Sequence, residues 1–192
     1  MTMRTRHFLG AVSVLFLSVG AALAAQSSAS ADRADALSEA ARKGDAAAVK
    51  KLLDDGVDVN TKFRYGATAL SYACDRGHLD VVRLLIDRGA DVNVKDTFYK
   101  ATPLTWAVSP AMGRKPQHTE VVKLLLQHGA QGKEQALMAA ISGPDAAITK
   151  IILDSGGLSA ATLSDALDAA MKAKRQEIVV LLERAGAKPK DK

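Results

Sequence analysis

Few side chains in this sequence are suited to chemistry. Cys74 and His78 lie on one short stretch, and His118 opens a similar stretch further on. A thiol and two imidazoles are soft and borderline metal ligands, the set a metal or small-molecule sensor uses. The other histidines do not extend it. His7 lies in the apolar leader, and His128 falls in the last turn of a helix, where partial positive charge is favourable. No two histidines stand at ligand spacing on one helix. There is no nucleophile motif, phosphate loop or carboxylate pair beyond ordinary surface composition, and Asp54 and Asp55 read as solvated helix ends. The sequence therefore predicts no enzyme and no catalytic, metal or cofactor residues. A sensor built on Cys74, His78 and His118 is the alternative of a different class.

Recognition chemistry is better represented. Beyond the leader, all six aromatic residues (Phe63, Tyr65, Tyr72, Phe98, Tyr99, Trp106) lie between positions 63 and 106. Four sit in two short clusters, Phe63-Arg64-Tyr65 and Phe98-Tyr99-Lys100. Exposed aromatics on loops meet something or fold back on their own loop. Aromatic and arginine side chains are the usual anchors of protein interfaces. The predicted partner-binding set is Phe63, Arg64, Tyr65, Arg76, Phe98, Tyr99, Lys100, Met112, Arg114 and Lys115.

Repeated helical hairpins position these residues. From Thr68 to Asn93 the chain reads as helix, tight turn, helix, loop: a short apolar segment stopped at Arg76-Gly77, then Val81, Val82, Leu84, Leu85 and Ile86 at helical spacing. Thr68 is suited to cap the first helix, and Gly89 to end the second in the left-handed conformation. Leu37 to Gly56, Leu70 to Gly89, Leu137 to Gly156 and Leu167 to Gly186 are each 19 residues apart, and Leu104 to Gly129 holds six more. The leucines recur after 33, 34, 33 and 30 residues, an internal repeat of solenoid length.

The chain resembles the ankyrin-repeat family. Its T-P-L-H, A-A, G-H, V-V and G-A-D-V-N pattern is matched by Thr68-Ala69-Leu70, Ala73, Gly77-His78, Val81-Val82 and Gly89-Ala90-Asp91-Val92-Asn93. The next unit matches through Thr102-Pro103-Leu104, Ala107, His118, Val121-Val122, Leu125-Leu126 and Gly129-Ala130. The first unit matches less well, and the last two least. The resemblance implies an all-α solenoid of about five repeats over 34–187 (34–66, 67–100, 101–133, 134–163, 164–187), with two β-hairpin-like fingers. It implies that Tyr72 and Trp106 pack between repeats, that His78 and His118 are structural, and that Cys74, at an alanine position, is a buried thiol. It also implies that the insertion Ser109–Gln117, in which Pro110, Gly113 and Pro116 exclude a helix, borders the concave groove. Met112, Arg114 and Lys115 would then project beside the fingers, unless the loop is merely solvated. Asp35 takes the capping place of Thr68. Lys50 and Lys51 at one end and Glu183 at the other read as polar terminal faces.

Arg4 and Arg6 precede an apolar run from Phe8 to Leu23 and the triplet Ala22-Leu23-Ala24, the pattern of a Sec-type signal peptide over 1–24. A flexible leader is expected over 25–33. The predicted location is the periplasm, with release from the cell as the variant and an uncleaved anchor as the alternative. Removing Arg4 and Arg6 takes the formal charge from +5 to +3, and Lys188, Lys190 and Lys192 against Asp191 put +2 of that in the basic tail 188–192. Nearly neutral repeats offer no nucleic-acid groove. The expected function is binding a folded protein partner through repeats 1–3, the chain itself being a monomer without a stable membrane anchor. A narrower alternative is an inhibitor or immunity protein for an exported toxic enzyme. Mass spectrometry of the exported protein is expected to give Ala25 as the first residue; a retained Met1 would show the anchor instead.

Overall fold

A helix pair of this length has an apolar stripe and nothing of its own to bury it against, so the pairs stack. The computed structural model describes residues 30–109, 113, 115–143 and 146–189. The expected signal peptide, the first part of the leader, Met112, Arg114 and the end of the basic tail lie outside those residues.

Ten α-helices are present among the described residues. They are α1 (30–43), α2 (Ala46–Asp54), α3 (Ala69–Arg76), α4 (Leu79–Asp87), α5 (Pro103–Val108), α6 (Gln117–Gln127), α7 (Lys133–Ile141), α8 (Ala147–Asp154), α9 (Ala160–Lys172) and α10 (Gln176–Arg184). Two layers result. The first helices pack in a row, α3 on α5, α5 on α7 and α7 on α9, and the second helices make a parallel row from α2 through α4, α6 and α8 to α10. The weakly matching units at 134–187 thus continue the stack. Leu70, Leu104, Leu137 and Leu167 fill the inner row, and Val82, Leu85, Val122, Leu125 and Ile152 the space between rows, all buried.

Three expectations at this level are corrected. Residues 30–33 are helical rather than leader, so Asp35 lies inside α1 and does not cap it. No β-strand occurs among the described residues, and the fingers are loops rather than hairpins. The first finger closes through Phe63 N–H to Ala67 O (2.8 Å) around a short 3-10 turn at Arg64–Gly66, and the second through Asp96 N–H to Ala101 O (3.1 Å), too few cross-links to build a ladder. Finally, Gln117, counted in the helix-free insertion, opens α6.

Polar staples join successive pairs. His78 Nε2 lies 3.0 Å from Arg42 O of the preceding unit. Lys115 N–H donates to His118 Nδ1 (2.9 Å), which leaves the Nε2 proton for Asp75 O (3.1 Å). Arg175, at the equivalent position of the fifth unit, donates to Gly143 O. A second series uses the asparagine of D-V-N. Asn60 donates to Gly89 O (3.2 Å) and accepts from Asp91 N–H (2.8 Å), and Asn93 repeats this with Gly129 O (3.4 Å) and Gln131 N–H (2.8 Å). Lys133 takes the same place in the third unit, its ammonium reaching Ser155 O (3.2 Å) and Gly156 O (3.0 Å) at the end of α8, where the helix dipole favours a cation.

The tight turn needs glycine for two reasons. Gly77 has φ +70°, and a Cβ there would stand 2.8 Å from the His118 ring of the next unit. In the fifth unit Lys174 holds the equivalent left-handed turn at φ +55°. The fourth unit has its own weakness: the buried Thr149 hydroxyl, where other units carry Val82, Val122 and Val179, has no hydrogen-bond partner among the described residues. Gly77→Ala is expected to lower stability by roughly 2 kcal/mol through strain and overpacking. Lys174→Gly relieves the strain but frees the unfolded chain, a net gain of roughly 0.5–1 kcal/mol. Urea midpoints of the two variants should move in opposite directions.

Candidate functional site

The inner helices begin beneath the fingers, and their first turns are built from capping residues. Thr68 Oγ1 accepts from Ser71 N–H and Ser71 Oγ accepts from Thr68 N–H, both at 3.3 Å, while Thr102 accepts from Thr105 N–H at 3.3 Å. These caps fix where Tyr72 and Trp106, one turn further on, face the fingers.

The second finger is organised by one side chain. Asp96 is 4% exposed, and its carboxylate accepts four hydrogen bonds: Phe98 N–H (2.9 Å) and Tyr99 N–H (2.6 Å) on Oδ1, Ala101 N–H (3.2 Å) and the Trp106 indole N–H (3.2 Å) on Oδ2. An acid that collects three amides of its own loop and an indole of the following helix does the work that paired strands would do. The first finger is tied to the second by Thr97 N–H donating to Tyr65 O at 2.7 Å. Both tips hold a non-glycine residue in the left-handed region, Tyr65 at φ 60° and Lys100 at φ 55°. Such conformations cost about 1–2 kcal/mol each and persist where the surroundings over-determine them.

A run of ring contacts results. Tyr65 lies 5.4 Å from Phe98 between centroids, Phe98 4.6 Å from Tyr99 edge-on, and Tyr99 5.7 Å from Trp106 edge-on, all in the favourable range. Tyr65, Phe98 and Tyr99 are nonetheless 51%, 63% and 68% exposed, so the run is an outer surface and not a small core. The Arg42 guanidinium covers the Tyr72 ring at 3.9 Å, and that of Arg64 lies 4.7 Å from the Tyr65 ring centre.

The ten predicted residues do not form one surface. Arg64, Tyr65, Phe98, Tyr99 and Lys100 share the finger tips, all exposed. Phe63 is half-buried and stacks on Tyr72 at 6.0 Å, so it supports the first finger. Arg76 and Lys115 line a separate cleft with Gly77, His78 and Asp80, at the far end of α3. That helix has 8 residues, which sets this cleft about 12 Å from the finger end. The insertion therefore does not put Lys115 beside the fingers, because the helix-to-helix turn and the finger lie at opposite ends of the inner helix. Arg76 is turned toward Asp75 at 3.3 Å. Sequence reasoning missed two other members. Tyr72 and Trp106, expected in the core, are half-buried and line the finger cleft.

Residues that suggested a sensor have structural partners. Cys74 is fully buried, and that burial, followed by the neighbouring Asp75 charge, pushes its thiol well above the ordinary cysteine range, which keeps it protonated. His78 and His118 are held in the inter-repeat staples. No group of three His, Cys, Asp or Glu side chains able to hold a metal occurs among the described residues, and no helix there is long and apolar enough to cross a membrane.

The model of the family described as ankyrin repeats (3 copies) matches residues 9–96 and 37–135, which together span more than half of the 192-residue chain. The chain belongs to the ankyrin-repeat family. Ankyrin repeats mediate protein–protein interaction and are typically non-enzymatic. The matched region ends at residue 135; α8, α9 and α10 join the solenoid through their packing and the leucine–glycine spacing of their units. Curated proteins gave no match.

The Asp96 arrangement generates a direct test, since Trp106 is the chain's one tryptophan. Asp96→Ala is expected to lower stability by roughly 2–4 kcal/mol, as buried donors lose their acceptor. It should also shift Trp106 emission to the red, with Asp96→Asn intermediate. Unchanged emission in Asp96→Ala would show that the finger stands without this carboxylate.

Proposed function

We propose that this ankyrin-repeat protein works in the periplasm, as a monomer, by holding a folded protein partner against the fingers and concave face of its first three repeats. The observation that carries the proposal is the run Tyr65, Phe98, Tyr99 and Trp106, whose first three rings are more than half exposed while their backbones are fixed by a buried acid and by left-handed geometry. A pre-ordered aromatic surface binds without losing much side-chain entropy, which is why tyrosine and tryptophan anchor interfaces. A standard interface buries on the order of 800 Å² per side, which is the size of contact proposed for this face.

The periplasmic assignment rests on Arg4, Arg6, the apolar run that follows and Ala22-Leu23-Ala24. The single cysteine accords with it, because a chain with one thiol forms no internal disulfide and relies on stacking in any redox environment.

Replacing Tyr65, Phe98 and Tyr99 together by alanine is expected to weaken capture of partners from a periplasmic extract at least tenfold, about 1.4 kcal/mol. The thermal midpoint should change little, because the rings removed are exposed. Phe63 is left in place since it supports the loop. Undiminished capture by the triple variant would reject the finger surface.

A further inference from the structure

The two finger tips are unbalanced in charge. Lys62, Arg64, Lys95 and Lys100 are exposed there, and Arg42 joins them from the inner face of α1. The one acid among the tips, Asp96, is buried and already accepts four N–H groups. Asp58 and Asp91, at the finger bases, accept from the amides of Asn60 and Asn93. On the neighbouring inner helices Glu39 pairs with Lys43 at 3.1 Å and Asp75 with Arg76 at 3.3 Å. Arg42 and Arg64 have no carboxylate partner among the described residues; each lies instead over a tyrosine ring. Between them opens a cleft of about 390 Å³, lined also by Tyr65, Tyr72, Tyr99 and Trp106. That volume is at the small end for ligand clefts and suits one bulky side chain with its flanking backbone.

From this we infer that the finger cleft takes an acidic segment of the protein partner, with an aromatic or large aliphatic side chain seated among Tyr72, Tyr99 and Trp106 and flanking carboxylates meeting Arg42 and Arg64. The inference rests on the finger surface being the binding face and adds the chemistry of what it binds. Guanidinium groups lying over rings are held in place; Arg64 donates one N–H to the Tyr65 hydroxyl (2.8 Å), and the remaining N–H groups of Arg42 and Arg64 are the donors for carboxylates. A cationic ligand is disfavoured, since the one carboxylate lining the cleft among the described residues, Asp96, is saturated.

The test uses the mature protein with Trp106 as reporter. The probes are capped peptides with one phenylalanine between runs of glutamate, of glutamine or of lysine, and a single-stranded oligothymidylate. The glutamate peptide is expected to change Trp106 emission saturably, to bind at least tenfold more tightly than the glutamine peptide, and to weaken as salt rises. Arg42→Gln with Arg64→Gln should remove that tenfold preference, the glutamate and glutamine peptides then binding alike. Equal affinities for the glutamate and glutamine peptides, no response to any peptide, or tighter binding of the oligothymidylate would each overturn the inference. If the glutamate peptide fails while the triple ring variant still loses its partner, the finger surface stands and only its acidic preference falls.

Discussion

No hairpin in this chain can shelter its own apolar stripe, and every other feature depends on that constraint. Leucines at a fixed place in each first helix, and branched residues in each second helix, are buried because the next unit lies against them. Apolar contact alone leaves neighbouring units free to slide, and the staples remove that freedom. A histidine ring or a guanidinium at one end, and an asparagine or lysine at the other, seize carbonyls that the adjacent helix leaves open at its terminus.

The same logic of open backbone groups builds the recognition surface. A finger without strands has amides that need acceptors, and Asp96 supplies them from within, drawing in the Trp106 indole as well. The exposed rings are therefore a consequence of how the loop is satisfied: with the amides of Phe98 and Tyr99 turned inward to the carboxylate, their side chains remain outside. Arg42 and Arg64 then lie on tyrosine faces, so charge and apolar area are interleaved over a few residues.

Much of this was readable in the sequence. The spacing of leucine and glycine landmarks placed every hairpin, including the two whose motifs are faint, because burial demands the same period even where the motif residues have changed. The tip residues Tyr65, Phe98 and Tyr99 were recognisable as aromatics with no core to occupy. Other features were hidden by substitution. Lys133 for asparagine, Arg175 for histidine and Lys174 for glycine keep the geometry with different chemistry, so a pattern of residue types passes over them. Tyr72 and Trp106 were assigned between repeats because alignment gives position and not tilt; Trp106 does pack against the core, while its indole N–H turns toward Asp96 and Tyr72 is half-buried at the finger cleft. An aspartate followed by Thr97-Phe98 is an Asx-turn signal, and it was the one clue to the finger's architecture. The split of Lys115 and Arg76 from the fingers follows from the length of α3, a distance that residue spacing alone does not convey.

The junctions are not equal along the row. Units one to three are joined through asparagine and histidine, whereas units four and five rely on Lys133 and Arg175, contain at Thr149 a buried hydroxyl with no partner among the described residues, and turn on a strained Lys174. In a chain where each unit feels only its neighbours, such a gradient lets the far end open while the near end stays shut. Amide hydrogens of α9 and α10 are then expected to exchange by a lower-energy local route than those beneath the fingers. A row joined this unevenly is expected to fray first at the hairpins farthest from the ring-bearing face.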